Sequence, residues 1–188
     1  MRIIVMAAAF IGITLAMQTS VTAQELPEAS QPTDEHKFLQ RFVGEWDVES
    51  EGSGGEGQPP IKGKAMMKST MLGSLWLVNS SEMEVAGFAM QSIQMIGYDP
   101  KKEKYVGIWA DSMINHMWQY EGTVDDSGNK LTLDAEGPSM TGGDDMVKYQ
   151  DIYEFADDDT IIATSRMQDA EGNWVEIMKG KANRRKSD

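Results

Sequence analysis

A chain of 188 residues with 17 basic and 30 acidic side chains, a net charge of −13, no cysteine and only two histidines excludes several classes of function before any motif is read. The acidic balance repels phosphate backbones and anionic lipid, whose binding rests on Lys and Arg, so neither nucleic acid nor a membrane surface is an expected partner. Without Cys there are no disulfides, no thiol catalysis and no iron–sulfur cluster.

The first segment reads "MRIIVMAAAFIGITLAMQTSVTAQE": Arg2, an apolar run from Ile3 to Met17, then polar residues with Val21 and Ala23 at the small-residue positions. This is the pattern of a secretory signal peptide over residues 1–23, and the apolar run is short for a bilayer span of about 20 residues. No Cys follows it to take a lipid. The mature chain is expected to start at Gln24 and to be exported, to the periplasm or the medium. Residues 24–33, "QELPEASQPT", are a polar, flexible lead-in, and residues 34–186 form one domain.

Thr33 caps a short helix, with Asp34 and Glu35 in the first turn, where the helix dipole favours acids, and Phe38, Leu39 and Phe42 on one face. Gly44 stops it. From there the period changes to two. Strand-like runs follow at 45–51, 61–71, 75–85, 90–98, 104–113, 116–124, 130–136, 147–155, 160–168 and 173–183. The gaps carry turn chemistry, among them "DPKKE", "DDSGN", "ADDD" and "DAEGN". The expected fold is all-β: an antiparallel meander of about ten strands, closed into a barrel to remove its edges, with the helix over one end. An open two-sheet sandwich is the alternative. Gly-x-Trp recurs at 44–46, 107–109 and 172–174, but such turns are generic and no repeat follows.

"GEWDV", "LGSLWLV", "GYDPKKEKYVGIWADSM" and "YEGTVDDSGNKLTL", with a basic final strand, together resemble the bacterial family known as domain of unknown function 1579. The resemblance runs from about His36 to Arg185, and its most specific pieces are Gly97-Tyr98-Asp99 and Trp109-x-Asp111-Ser112. It implies a calycin-type barrel, similar to lipocalins. It also implies that Arg184 or Arg185 stacks on Trp46 and shuts one end of the barrel. No activity comes with it, because a fold does not fix a function.

The stretch "WADSMINHMWQYEG" concentrates the chemistry. In a regular strand Tyr105, Gly107, Trp109, Asp111 and Met113 share one face, and in the next strand His116, Trp118, Tyr120 and Gly122 share another. These faces mix bulky, polar and empty positions as a cavity wall does, and amphipathic rings are better buried than solvated. Asp111 and His116 offer a carboxylate–imidazole pair, but Ser112 points the other way and no Gly-x-Ser-x-Gly elbow exists, so no catalytic residue is assigned and the protein is not read as an enzyme. The acidic stretches at 142–146 and 156–160 lack the calcium-loop pattern and read as solvated turns. Two histidines fall short of a zinc site, and no metal or cofactor is assigned.

The chain has 15 methionines, residues that suit adaptable apolar pockets and equally a plain core. The resulting reading is an exported barrel that binds a small apolar or amphipathic molecule, with wall residues Trp76, Tyr98, Trp109, Asp111, Met113, His116, Trp118, Tyr120 and Tyr153. Asp111 and His116 would orient the ligand's polar end. The alternatives are a filled, non-binding structural or interaction barrel, and a Cu(I) site at Met113, His116 and Met117, which regular strand alternation opposes because Met117 then faces away from His116. Oligomeric state is not legible. The leader yields the first prediction: intact mass of the exported protein should show loss of residues 1–23, and a retained Met1 would overturn it.

Overall fold

Alternation of apolar and polar residues over ten segments builds one antiparallel sheet in the computed structural model, which describes residues 30–54, 57–85, 87–140 and 145–186. The expected signal peptide, and the lead-in as far as residue 29, lie outside the described residues. The strands are β1 (Gly44–Gly52), β2 (Ile61–Leu72), β3 (Trp76–Val85), β4 (Phe88–Asp99), β5 (Lys104–Asp111), β6 (Trp118–Val124), β7 (Lys130–Pro138), β8 (Met146–Asp157), β9 (Thr160–Gln168) and β10 (Trp174–Arg184). Each pairs with its sequence neighbours and β10 returns to β1, so the sheet is a closed barrel and the sandwich is excluded.

Register and burial together settle which face looks inward. Trp46, Leu77, Ile96, Leu131, Leu133 and Ile161 are fully or almost fully buried, while charged, exposed residues such as Glu45, Asp47 and Asp134 take the opposite parity. Outside, Lys62–Glu51 and Lys64–Glu49 form exposed ion pairs across β1 and β2, of little consequence for stability.

One end is filled. Helix α1 (Asp34–Gln40), with Thr33 as N-cap, lies there, and the backbone N–H of Thr33 donates to His36 Nδ1 at 2.9 Å. The helix ends at Gln40, so Gly44 opens β1 rather than stopping α1. Phe38 and Phe42 pack edge-on against Phe155 at centroid distances of 6.0 and 4.8 Å, and Phe38 also meets Tyr105 at 5.9 Å. Edge-to-face pairs of this kind add stability beyond the area they bury.

Below the helix, the Arg184 guanidinium sits 4.1 Å over the centre of the Trp46 ring, which assigns the stacking cation to Arg184 rather than Arg185. Its donors reach the carbonyls of Arg41 at 2.8 Å and Asp158 at 2.9 Å and the Asp159 carboxylate at 3.1 Å. The indole N–H of Trp46 donates to the Phe42 carbonyl at 2.8 Å. The acidic turn between β8 and β9 is therefore a clasp on Arg184, not merely a solvated tip. Gly44, at φ +143°, is needed here: a Cβ would come within 2.6 Å of Arg184 Nη1.

Trp46 is fully buried, whereas Trp174 is 37% exposed. Trp46→Ala should therefore cost roughly 3 to 5 kcal/mol of unfolding free energy, and Trp174→Ala clearly less, in denaturant titrations. Equal small losses would contradict the latch.

Candidate functional site

Above the filled end, the inward faces change character. Asn79 of β3 donates to Gln94 of β4 at 2.8 Å, and Gln94 Nε2 donates to the Tyr153 hydroxyl of β8 at 2.9 Å. Strands β4 and β8 are four strands apart one way around the ring and six the other, so the Gln94–Tyr153 bond spans the interior and forms a polar floor. Tyr153 is followed on the same face by Asp151, whose two carboxylate oxygens accept from Tyr120 Oη of β6 and Ser165 Oγ of β9.

Beyond this layer the inward side chains are less buried. Asp151, Ala163 and Ser165, in mid-strand, and Trp109, at the last pair between β5 and β6, have inward parity and are only half-buried. Side chains of this parity meet solvent through the interior or through the wall where β6 and β7 part. Ser69 Oγ, Asn79 Oδ1 and Ser92 Oγ face the same interior, are buried, and have no hydrogen-bond partner. Leaving a buried polar atom unpaired costs about 1–3 kcal/mol. At the end away from the helix, Phe88 at the start of β4 and Met113 and Met140 in the connecting segments are more than half exposed, at 66%, 56% and 56%, and Met146, at 55%, has outward parity on β8.

Removal from water pushes the Asp151 carboxyl above the usual carboxylate range, a rise that the bonds from Ser165 and Tyr120 only partly offset. Burial first, and the neighbouring Asp151 second, raise Tyr120 and Tyr153 well above the ordinary phenol value, so both stay protonated.

Of the residues expected to form the wall, Trp109, Trp118 and Tyr120 share the inward face in register, with Trp109 opposite Trp118 and Gly107 opposite Tyr120. Tyr153 belongs to the polar floor. Tyr98 faces inward but at the filled end, packed on Tyr105 at 5.3 Å and His36 at 6.0 Å. Trp76 does not reach the lumen. Leu77, fully buried, takes the inward position of β3, and Trp76 lies on the outer wall across Gly97, where an added Cβ would come within 2.5 Å of its ring.

The segment 112–117 leaves the sheet, which also displaces Met113 and His116 from the wall to the rim. Asp111 does not meet His116: its carboxylate accepts from the N–H groups of Met113 (2.8 Å) and Ile114 (3.0 Å) and from Trp109 Nε1 (3.2 Å), shaping the loop. His116 stacks edge-on against Trp118 at 4.9 Å and bonds the Glu136 carbonyl at 3.1 Å. Because the irregular segment includes Met117, alternation no longer separates it from His116, but Met113 and Met117 are both exposed and the imidazole is engaged elsewhere. Among the described residues no cluster of three or more His, Asp or Glu side chains is placed to hold a metal.

Sequence reasoning missed Asp151, Ser165, Gln94, Asn79, Ser69 and Ser92. Asp151 shares parity with Tyr149, Tyr153 and Phe155, which was a readable signal. An open groove of about 1100 Å³ cuts into the barrel wall. It is lined by outward residues such as Ile108, Gln119 and Glu136 and also by the inward-parity residues Tyr120, Ala135 and Tyr149. It follows the line where β6 and β7 part beyond the Glu121–Asp134 pair.

Together these features define a calycin-like barrel with one shut end and an accessible, partly polar lumen. The chain belongs to the family described as "Protein of unknown function (DUF1579)", whose model matches residues 31–184. No protein of curated function matches it by sequence. Solved structures share the fold. The S-type phycobiliprotein lyase CPES from Guillardia theta is 14% identical with a TM-score of 0.55, the alignment covering 82% of this chain and 94% of that one. Rv2717c from M. tuberculosis is 10% identical with a TM-score of 0.59, covering 83% and 100%.

The raised Asp151 carboxyl gives a signed prediction. Its folded pKa lies above the unfolded one, so ionisation opposes folding: stability is lost as pH rises from the ordinary carboxylate pKa through the elevated one. In denaturant titrations across that window, wild type should lose stability relative to Asp151→Asn as pH increases. A wild type that gains on the variant with rising pH would refute the assignment.

Proposed function

We propose that the protein is an exported carrier or sensor that holds a small amphipathic molecule in the barrel lumen. The observation that carries this reading is the set of inward-facing, half-buried side chains, Trp109, Asp151, Ala163 and Ser165. A filled structural barrel would bury them.

The arrangement supports an amphipathic rather than a purely apolar occupant. Trp109 and the Met-rich mouth offer adaptable apolar contact, while Ser69, Asn79 and Ser92 hold unmatched polar atoms against the floor. Sites of this composition, mostly apolar with a few placed polar groups, are typical of small-molecule pockets. The phycobiliprotein lyase shares the barrel fold with this chain; the ligand class here rests on the lumen's own chemistry.

The test is a titration with the neutral fluorescent probe N-phenyl-1-naphthylamine. Wild type should bind it. Ala65→Phe, which puts a ring into the lumen from β2, should weaken binding at least about tenfold, whereas Trp76→Ala on the outer wall should leave it unchanged. Absence of binding by folded wild type would favour the filled barrel, and loss on Trp76→Ala with none on Ala65→Phe would move the site outside.

A further inference from the structure

The lumen carries an imbalance of charge. Asp151 is held inside by two hydroxyl donors, Tyr120 and Ser165, and by no cation. Along the inward faces of the ten strands, among the described residues, the one basic side chain is Arg184, committed to Trp46 and the Asp158–Asp159 turn at the shut end. The other Lys and Arg residues lie on outward parity, in turns, or on the helix and the chain end, and the salt bridges are exposed or at the closed end. The remaining inward carboxylate, Asp111, is consumed by its own loop.

The same interior also holds an unmatched acceptor. Asn79 Oδ1, on a residue 5% exposed, is an acceptor without a partner, and it belongs to the hydrogen-bonded layer that runs through Gln94 to Tyr153, two residues along β8 from Asp151. Ser69 Oγ and Ser92 Oγ can accept as well. A carboxylate or phosphate head would bring like charge to Asp151 and would leave Asn79 Oδ1 unmatched. An ammonium supplies several donors and no acceptor, and it neutralises the buried carboxylate.

Resting on the ligand-binding reading above, we propose that the lumen selects a cationic amphiphile, an apolar body ending in an amine, with Asp151 as its counter-ion and Asn79 among its acceptors. Desolvation disfavours the charged form of Asp151, and a cation beside the carboxylate would offset that cost. The net charge of −13 draws cations toward the barrel from a distance.

Decylammonium, decanol and decanoate, matched in chain length, are used to displace N-phenyl-1-naphthylamine from wild type, Asp151→Asn and Asp111→Asn. Decylammonium should compete at least about tenfold more tightly than decanoate on wild type and on Asp111→Asn, in line with the worth of a desolvated charge pair. Asp151→Asn should lose that preference while its affinity for decanol stays within about twofold. If Asp151→Asn does not fold, Asp151→Ser is read in the same way. Equal or tighter binding of decanoate overturns the proposal, and so does a preference that survives at Asp151→Asn or disappears only at Asp111→Asn. Probe binding without charge preference removes this inference and leaves the carrier reading standing; no probe binding removes both.

Discussion

The stacking of Arg184 on Trp46 is the contact that makes the sheet a ring. A meander of ten strands has two free edges until its first and last strands meet, and here they meet in register from Trp46–Arg184 to Gly52–Met178. The guanidinium fixes that register at its origin, because it binds the ring of β1, the carbonyls leading into β1 and the turn between β8 and β9 at once. Closure removes the exposed edge hydrogen bonds that would otherwise template aggregation. It also forces the helix and its aromatic residues to one end, since the Phe42 carbonyl is held by the Trp46 indole.

From that end the interior changes in layers. Phe42, Leu77, Ile96, Leu131 and Ile161 form a packed apolar layer, then Asn79, Gln94, Tyr153 and Asp151 form a polar one. An apolar replacement of a buried polar network is often neutral or stabilising, so a fold under selection for stability alone would have extended the Leu and Phe layer upward. The polar layer instead leaves three unmatched atoms and an ionisable group that opposes folding when charged. The polar layer thus carries a cost in stability that an apolar layer in its place would avoid, and the proposed function gives that cost a reason.

Much of this was legible in the sequence because strands convert period into geometry. Alternation alone placed Trp109, Trp118 and Tyr120 on one inward face, and the strand boundaries agree with the sheet to within three residues. What failed did so for physical reasons. Trp76 and Leu77 are adjacent apolar residues, so either could have faced inward, and only the packing of the indole over Gly97 decides. The Asp111–His116 pair required the strand to continue past Asp111, whereas the carboxylate captured the N–H groups of Met113 and Ile114 and turned the chain out of the sheet. Asn79 and Gln94 were hidden because they look like ordinary outward residues until the parity of their strands is fixed, whereas the parity Asp151 shares with Tyr149, Tyr153 and Phe155 was readable. The three orphan atoms depend on cross-barrel neighbours that no local pattern encodes.

The two ends of the barrel differ in how tightly their side chains are held. The floor is over-determined: Gln94 is tied on both sides, and the Asp151 carboxylate is held between β6 and β9. The end away from the helix carries Met113, Met140, Met146 and Phe88, exposed and on turns or strand ends, side chains that can repack around varied shapes. A polar group therefore meets fixed partners and an apolar group meets adjustable ones. In the proposed carrier, recognition would be stringent at the head, where a mismatched charge meets fixed partners, and permissive at the tail, where one methylene more or less is worth only about 0.8 kcal/mol. On that proposal the barrel would select for the class of head group and read chain length and branching only loosely.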